Sequence, residues 1–237
     1  MNFDISDIAI AGARKLTQLD FIANNLANAS TTGFKAEHLY YAMKGKSAQE
    51  SARSDLGITS IVMDFAQGTL QSSGNPLDVA IEGDGFFAIQ QADGTTYTRN
   101  GSFAVNKNKE LVTKAGAKVM GESGPISING AQINIDADGN ITVDGNVAGK
   151  LKIVSFTNPG QLTRTAGGQY VDNGTAGLKK NDAYRVASGY LETSNVNAMK
   201  EMVEMIDGHR SFEAYQKIIQ TMSDLDKLST TRIGRLA

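Results

Sequence analysis

The sequence predicts an α+β protein. Long N- and C-terminal helices pair as a coiled coil, an extended arm follows the first helix, and a central all-β, antiparallel barrel- or sandwich-like body fills the middle. Three observations carry this reading. Apolar residues recur at gaps of three and four at both ends of the 237-residue chain. Between residues 75 and 190 the period changes to two, and turn dipeptides punctuate that region.

At the N-terminus Ile5, Ile8, Gly12, Leu16, Leu19, Ile22 and Leu26 share one face of a helix predicted over residues 4 to 28. The run Asn24-Asn25-Leu26-Ala27-Asn28 passes into Ser30-Thr31-Thr32-Gly33-Phe34-Lys35, where Asn, Ser and Thr compete for backbone hydrogen bonds. Gly33 can take the left-handed conformation that ends helices, so the helix is expected to stop between Asn28 and Gly33. Asn24, Asn25 and Asn28 are expected to hydrogen-bond across to the C-terminal helix or the arm. Residues 36 to 75 are polar and weakly patterned, and read as an extended arm or long hairpin with a strand at Gly57 to Phe65.

Alternating runs at 77–81, 86–90, 95–99, 102–105, 111–113, 126–128, 132–135, 141–143, 151–156 and 184–191 read as strands. They are separated by Gly83-Asp84-Gly85, Asp93-Gly94, Asn100-Gly101, Asn129-Gly130, Asp138-Gly139 and Asp144-Gly145. Asx-Gly pairs suit type I′ hairpin turns, which need positive φ at both central residues.

From Ser194 to Ala237 the apolar residues Met199, Met202, Ile206, Phe212, Tyr215, Ile219, Met222, Leu225 and Leu228 form a stripe. Lys200, Glu204, Asp207, Glu213 and Lys217 fall largely off it. Ser194 or Asn195 is the expected cap. Gly208 costs about 1 kcal/mol against alanine without forbidding the helix. Two such stripes can close one globule, or bury against copies in neighbouring molecules. The expected divisions are residues 1–35, 36–75, 76–190 and 191–237.

Composition excludes several classes. The 23 basic and 25 acidic side chains nearly cancel, so nucleic acid is not an expected partner. Cysteine is absent, which excludes disulfides and thiolate metal sites. No apolar run approaches the ~18 residues of a membrane span. Asp4, Asp7, Arg14 and Lys15 make the N-terminus unlike a cleavable signal. His38 and His209 have no ligand-like companions. Gly83-Asp84-Gly85-Phe86-Phe87-Ala88 matches a dinucleotide fingerprint only formally, because a strand follows rather than a helix. Asp136-Ala137-Asp138-Gly139-Asn140 starts like a calcium loop, but its twelfth position is Val147. No catalytic residue, metal or cofactor is expected.

Several motifs resemble the bacterial flagellar rod and hook proteins. They are Ile22-Ala-Asn-Asn-Leu-Ala-Asn28 with Thr32-Gly-Phe-Lys35, then Pro76-Leu-Asp-Val-Ala-Ile81, Gly83-Asp-Gly-Phe-Phe87, Tyr97-Thr-Arg-Asn-Gly-Ser-Phe103 and Leu111-Val-Thr113. Gly189-Tyr-Leu-Glu-Thr-Ser-Asn-Val-Asn197 leading into Glu201-Met-Val-Glu-Met-Ile206 completes the set. Within the family the F-type proximal-rod branch is the main expectation and the G-type distal-rod branch the alternative; the hook branch needs a larger outer domain. The resemblance implies a non-enzymatic subunit whose terminal helices form the inner layer of a helical tube. Its implied partners are copies of itself, other flagellar rod proteins and the flagellar export apparatus, and its implied place is the basal body in the periplasm. It also implies that residues 1 to 35 and 190 to 237 order on incorporation. Expected assembly residues are Ile22, Asn24, Asn25, Leu26, Asn28, Gly33, Phe34, Ser194, Asn195, Val196, Met202, Ile206, Phe212, Ile219, Met222 and Leu225. Two readings from other classes are a secreted β-fold hydrolase and a self-contained helical adaptor.

Overall fold

The computed structural model describes residues 5–40, 60–92, 94–165, 167–180 and 183–233. Contacts divide them into two compact units, one holding both helices with residues 37–40 and 60–62, the other holding residues 28–36 with 63–196. Residues 28–36 and 191–196 therefore group with the strands, whereas the sequence reading placed its boundaries at 35 and 191. Most of the expected arm, residues 41–59, lies outside the described residues.

In the helical unit α1 spans Ile5–Ala27 and α2 spans Ala198–Ile233. At 1.5 Å per residue they are roughly 35 and 54 Å long. They run antiparallel: Gly12 faces Tyr215, Leu19 and Lys15 face Gly208, and Asn25 meets Glu201. Strand β1, Glu37–Tyr40, pairs with β2, Ser60–Met63.

The face that α2 turns inward differs from the expected stripe over its first half. Glu201 and Gly208 are buried and Ala198, Met205, Phe212, Tyr215, Ile219 and Met222 are half-buried, a strict alternation of threes and fours. Met199, Met202 and Ile206 are exposed instead, as are Leu225 and Leu228 farther along. Hydrophobicity alone skips from Ile206 to Phe212. The heptad register continues back through Gly208 and Glu201, residues whose type hides their position. Leu16 is likewise exposed, at 49%.

In the other unit the chain forms β3 (Leu70–Ser72), β4 (Val79–Glu82), β5 (Phe86–Gln91), β6 (Gly94–Thr98), β7 (Phe103–Val105), β8 (Leu111–Thr113), β9 (Lys118–Gly121) and β10 (Gly124–Pro125). There follow β11 (Ile133–Ile135), β12 (Asn140–Val143), β13 (Asn146–Lys150), β14 (Ile153–Phe156), β15 (Thr163–Thr165), β16 (Gln169–Val171), β17 (Leu178–Lys180), β18 (Arg185–Ser188) and β19 (Tyr190–Glu192). The largest sheet follows the path β15-β16-β6-β5-β9-β8-β7, with β14 also joined to β5. No pairing among the described residues joins β15 to β7, so this path is open where a barrel would close. Smaller antiparallel pairings are β11-β12-β13, β18-β4 and β19-β3.

Strand β5 shows why period two governs this region. Phe87 and Ile89 enter one core with Val79, Phe103, Leu111 and Ile141, while Phe86 and Ala88 enter a second with Tyr97, Phe156 and Tyr170. The segment Ile126–Ile128 is not a strand; its isoleucines are buried and Ser127 makes an isolated bridge to Glu110. Asp144-Gly145 joins β12 to β13 with both φ values positive, 50° and 84°, as a type I′ turn requires. Asn100-Gly101 is not a hairpin turn, because β6 and β7 do not pair with each other. There the backbone of Gly101 passes against the carbonyl of Val79, which leaves no room for a side chain.

Candidate functional site

In the β-containing unit, four segments far apart in sequence meet around Thr32-Gly33-Phe34-Lys35-Ala36. Gly33 has φ +69°, and a Cβ on it would stand 2.6 Å from the Arg99 carbonyl carbon. It is thus a passage point for the chain several residues beyond the end of α1, rather than a cap. The Gly33 N–H donates to the Glu192 carbonyl at 2.8 Å. Phe34 is buried, with the Arg164 guanidinium 3.8 Å from its ring centre. Asn195 ties the remaining edges: its Oδ1 accepts from Ala36 N–H at 2.8 Å, and its Nδ2 donates to the carbonyls of Asp64 and Ala66.

The charged centre of this arrangement is fully buried. Lys35 Nζ donates to Glu192 Oε1 at 2.6 Å and to the Ala66 carbonyl at 2.7 Å. The same Oε1 accepts from Gly68 N–H at 2.9 Å. Glu192 Oε2 lies 3.6 Å from Arg99 Nη1 and has no hydrogen-bond partner among the described residues. Arg99 donates to the Gly83 carbonyl at 2.7 Å. Burial pushes the Lys35 ammonium below its ordinary pKa, and Glu192 opposes that shift. Burial lowers Arg99 as well, against Glu192 and Asp84, but a guanidinium stays charged throughout the physiological range. One carboxylate therefore serves two cations out of contact with water.

A second polar node lies within the helical unit. Asn25 is 1% exposed, and its side chain grips the backbone of Glu37 at both groups: Nδ2 to the carbonyl at 2.9 Å, Oδ1 from the N–H at 3.0 Å. The same Nδ2 reaches Glu201 Oε1 at 3.4 Å. Glu201 is 5% exposed, and its pKa is raised by burial and then by Glu204; Asn25, His38 and Lys200 pull the other way.

The other expected residues sit as follows. Ile22 is buried, Leu26 half-buried and Asn24 exposed on α1. Asn28 accepts from the Thr31 hydroxyl at 3.2 Å in the turn after the helix. Ser194 and Asn195 do not cap α2; Asn197 does, taking Lys200 N–H at 3.1 Å. Ser194 instead accepts from Val196 N–H, and Asn195 is committed to the cluster above. Lys35, Arg99, Glu192 and Glu201 were not among the expected site residues, although each lies inside a motif that carried the resemblance. His209 is exposed beside Glu213. The Asp136 carboxylate is turned onto Asp138 N–H, Asn140 N–H and the Asn140 amide, which is a plain turn. No acidic or histidine cluster among the described residues could hold a metal ion.

Asn25, Lys35, Arg99, Glu192, Asn195 and Glu201 fall inside segments that known proteins share. Residues 11–35 match the flagella basal body rod protein family, residues 80–143 the flagellar hook protein FlgE/F/G D1 domain, and residues 187–231 the flagellar basal body rod FlgEFG protein C-terminal family. The flagellar basal-body rod protein FlgF of Escherichia coli (strain K12) is 37% identical over 231 residues, covering 90% of this chain and 91% of its own. FlgF of Caulobacter vibrioides is 34% identical over 234 residues, covering 92% and 93%. FlgG of Bacillus subtilis is 34% identical over 247 residues, covering 88% and 90%. The chain belongs to the flagellar basal-body rod protein family. The rod-family match at the N-terminus ends on Lys35, and the one at the C-terminus contains Glu192, Asn195 and Glu201. No helix of this rod protein among the described residues is long and apolar enough to cross a membrane.

Proposed function

We propose that this chain is the F-type subunit of the proximal rod, polymerising helically through its terminal helices to build the drive shaft of the flagellum. The observation that carries the reading is the outward face of α2. Met199, Val203 and Ile206 are 71%, 56% and 54% exposed, and Met202 lies beside them. An apolar strip of this kind marks an interaction site on an otherwise folded surface. With α1 already occupying the opposite face, α2 offers two seams, as the inner strand of a multi-helix coiled coil does. Successive copies and other rod proteins are the partners. Different faces would meet, so the contact propagates instead of closing into a dimer. Delivery by the flagellar export apparatus to the basal body, in the periplasm, completes the proposal.

The F-type assignment is supported by alignment length: 231 and 234 positions against two F-type relatives, 247 against a G-type one, for similar coverage of this chain. The G-type reading keeps some support from FlgG of Borreliella burgdorferi, 37% identical over 241 residues. Complementation separates them. Expression in a bacterium lacking its F-type gene is expected to restore swimming, and expression in one lacking its G-type gene is not. The reverse pattern establishes the G-type, and failure in both with normal expression refutes the rod subunit.

A further inference from the structure

We infer that the buried Lys35–Glu192 pair, with Arg99 and Asn195, is a staple that keeps residues 28–36 part of the β-containing unit whether or not the helices are paired. This inference does not depend on the choice of F- or G-type. Among the described residues, the hydrogen bonds of Gly33 to Ala36 run to Thr31, Asp64, Ala66, Arg164, Glu192 and Asn195, all residues of that unit. Among the described residues, none of these hydrogen bonds comes from α1 or α2. The polar node that does engage the helices, Asn25 with Glu37 and Glu201, is made wholly of other residues. The two sets of interactions are therefore separable. The segment 28–36 also contributes what a strand edge contributes: Gly33 N–H to Glu192, Asn195 N–H to the Phe34 carbonyl, and Asp64 N–H to the Ala36 carbonyl.

The consequence concerns the free subunit. If the helices come apart, their chains remain rooted at Asn28 and Val196, both residues of the β-containing unit that the staple holds together. Re-pairing is then an intramolecular event at high effective concentration rather than a search by two loose chain ends. Ordering on assembly is confined to residues up to 27 and from 197 onward.

Hydrogen exchange of the full-length protein, followed by mass spectrometry, tests this with Leu19→Pro, a substitution that breaks α1 in its middle. Peptides from 198–222 are expected to lose protection. Peptides covering 33–36 and 190–196 are expected to keep theirs within about twofold, in step with 86–91. Loss of protection at 33–36 together with the helices overturns the staple. A second variant probes the charge pair itself. Lys35→Met combined with Glu192→Met removes the pair and leaves Arg99 its hydrogen bonds to the Ile81 and Gly83 carbonyls; it is expected to lower protection at 33–36 at least about tenfold more than at 86–91. Equal protection at both sites in that variant also overturns the inference.

Discussion

At the scale of single residues, the two polar nodes make opposite demands on charge. Glu201 is an acid whose folded pKa is raised above its unfolded value. Its contribution to stability is therefore fully present below the unfolded value of about 4.3 and is lost as pH rises through the folded pKa. The helical unit should resist urea better near pH 4 than its other charges alone would allow. Glu201→Gln should be more stable than the parent at pH 7 and lack this component of the pH dependence, read by far-UV circular dichroism. Asn25→Leu should cost about 1–3 kcal/mol in the same assay, because it strands the N–H and carbonyl of Glu37. In the β-containing unit, removing one member of a buried pair leaves the other uncompensated. Glu192→Ala should cost about 3–5 kcal/mol by chemical denaturation monitored in the near-UV. The presence of these residues was plain from the motifs, but their burial was not. Lys, Glu and Arg are ordinarily exposed unless paired, and the pairing spans 157 positions.

At the scale of elements, α1 was legible nearly to its ends because an apolar stripe and an Asn-Ser-Thr run both mark it. The inward face of α2 was less legible. A helix with apolar residues on more than one side offers several stripes, and the buried one is set by where α1 can approach. That is the line through Gly208, where Leu19 leaves room for no bulky side chain. The strands β5, β8 and β12 were readable from alternation, while β15 and β17 were not. Thr163–Thr165 and Leu178–Lys180 are mostly exposed, so no buried face imposes a pattern. The two faces of α2 should separate by mutation. Met199→Gln with Ile206→Gln is expected to change helical stability by less than about 0.5 kcal/mol while abolishing swimming in the complementation assay. Phe212→Ala with Ile219→Ala should instead lower stability, by about 1–2 kcal/mol for each half-buried side chain.

At the scale of the whole molecule, the body is larger than its strand-rich middle. A chain trimmed to residues 28–196 is expected to unfold cooperatively on heating with native near-UV dichroism. One trimmed to 76–190 is expected to lose that signal, since it lacks Lys35, Asp64, Gly68 and Glu192. The general α+β plan followed from local patterns, because helix and strand periods are local. The dovetailing of 33–36, 64–70 and 192–195 could not follow, since no short window contains it.

The buried ion pair also imposes an order of events on a chain made from its N-terminus. Lys35 emerges without its counter-charge and waits 157 residues for Glu192, which at about 5–20 residues per second is roughly 8–30 s of synthesis. Until then the site would hold an unmatched ammonium, so a truncated or half-made chain cannot lock. The lock is thus tied to late synthesis: the native body becomes attainable only once Glu192 has joined the chain.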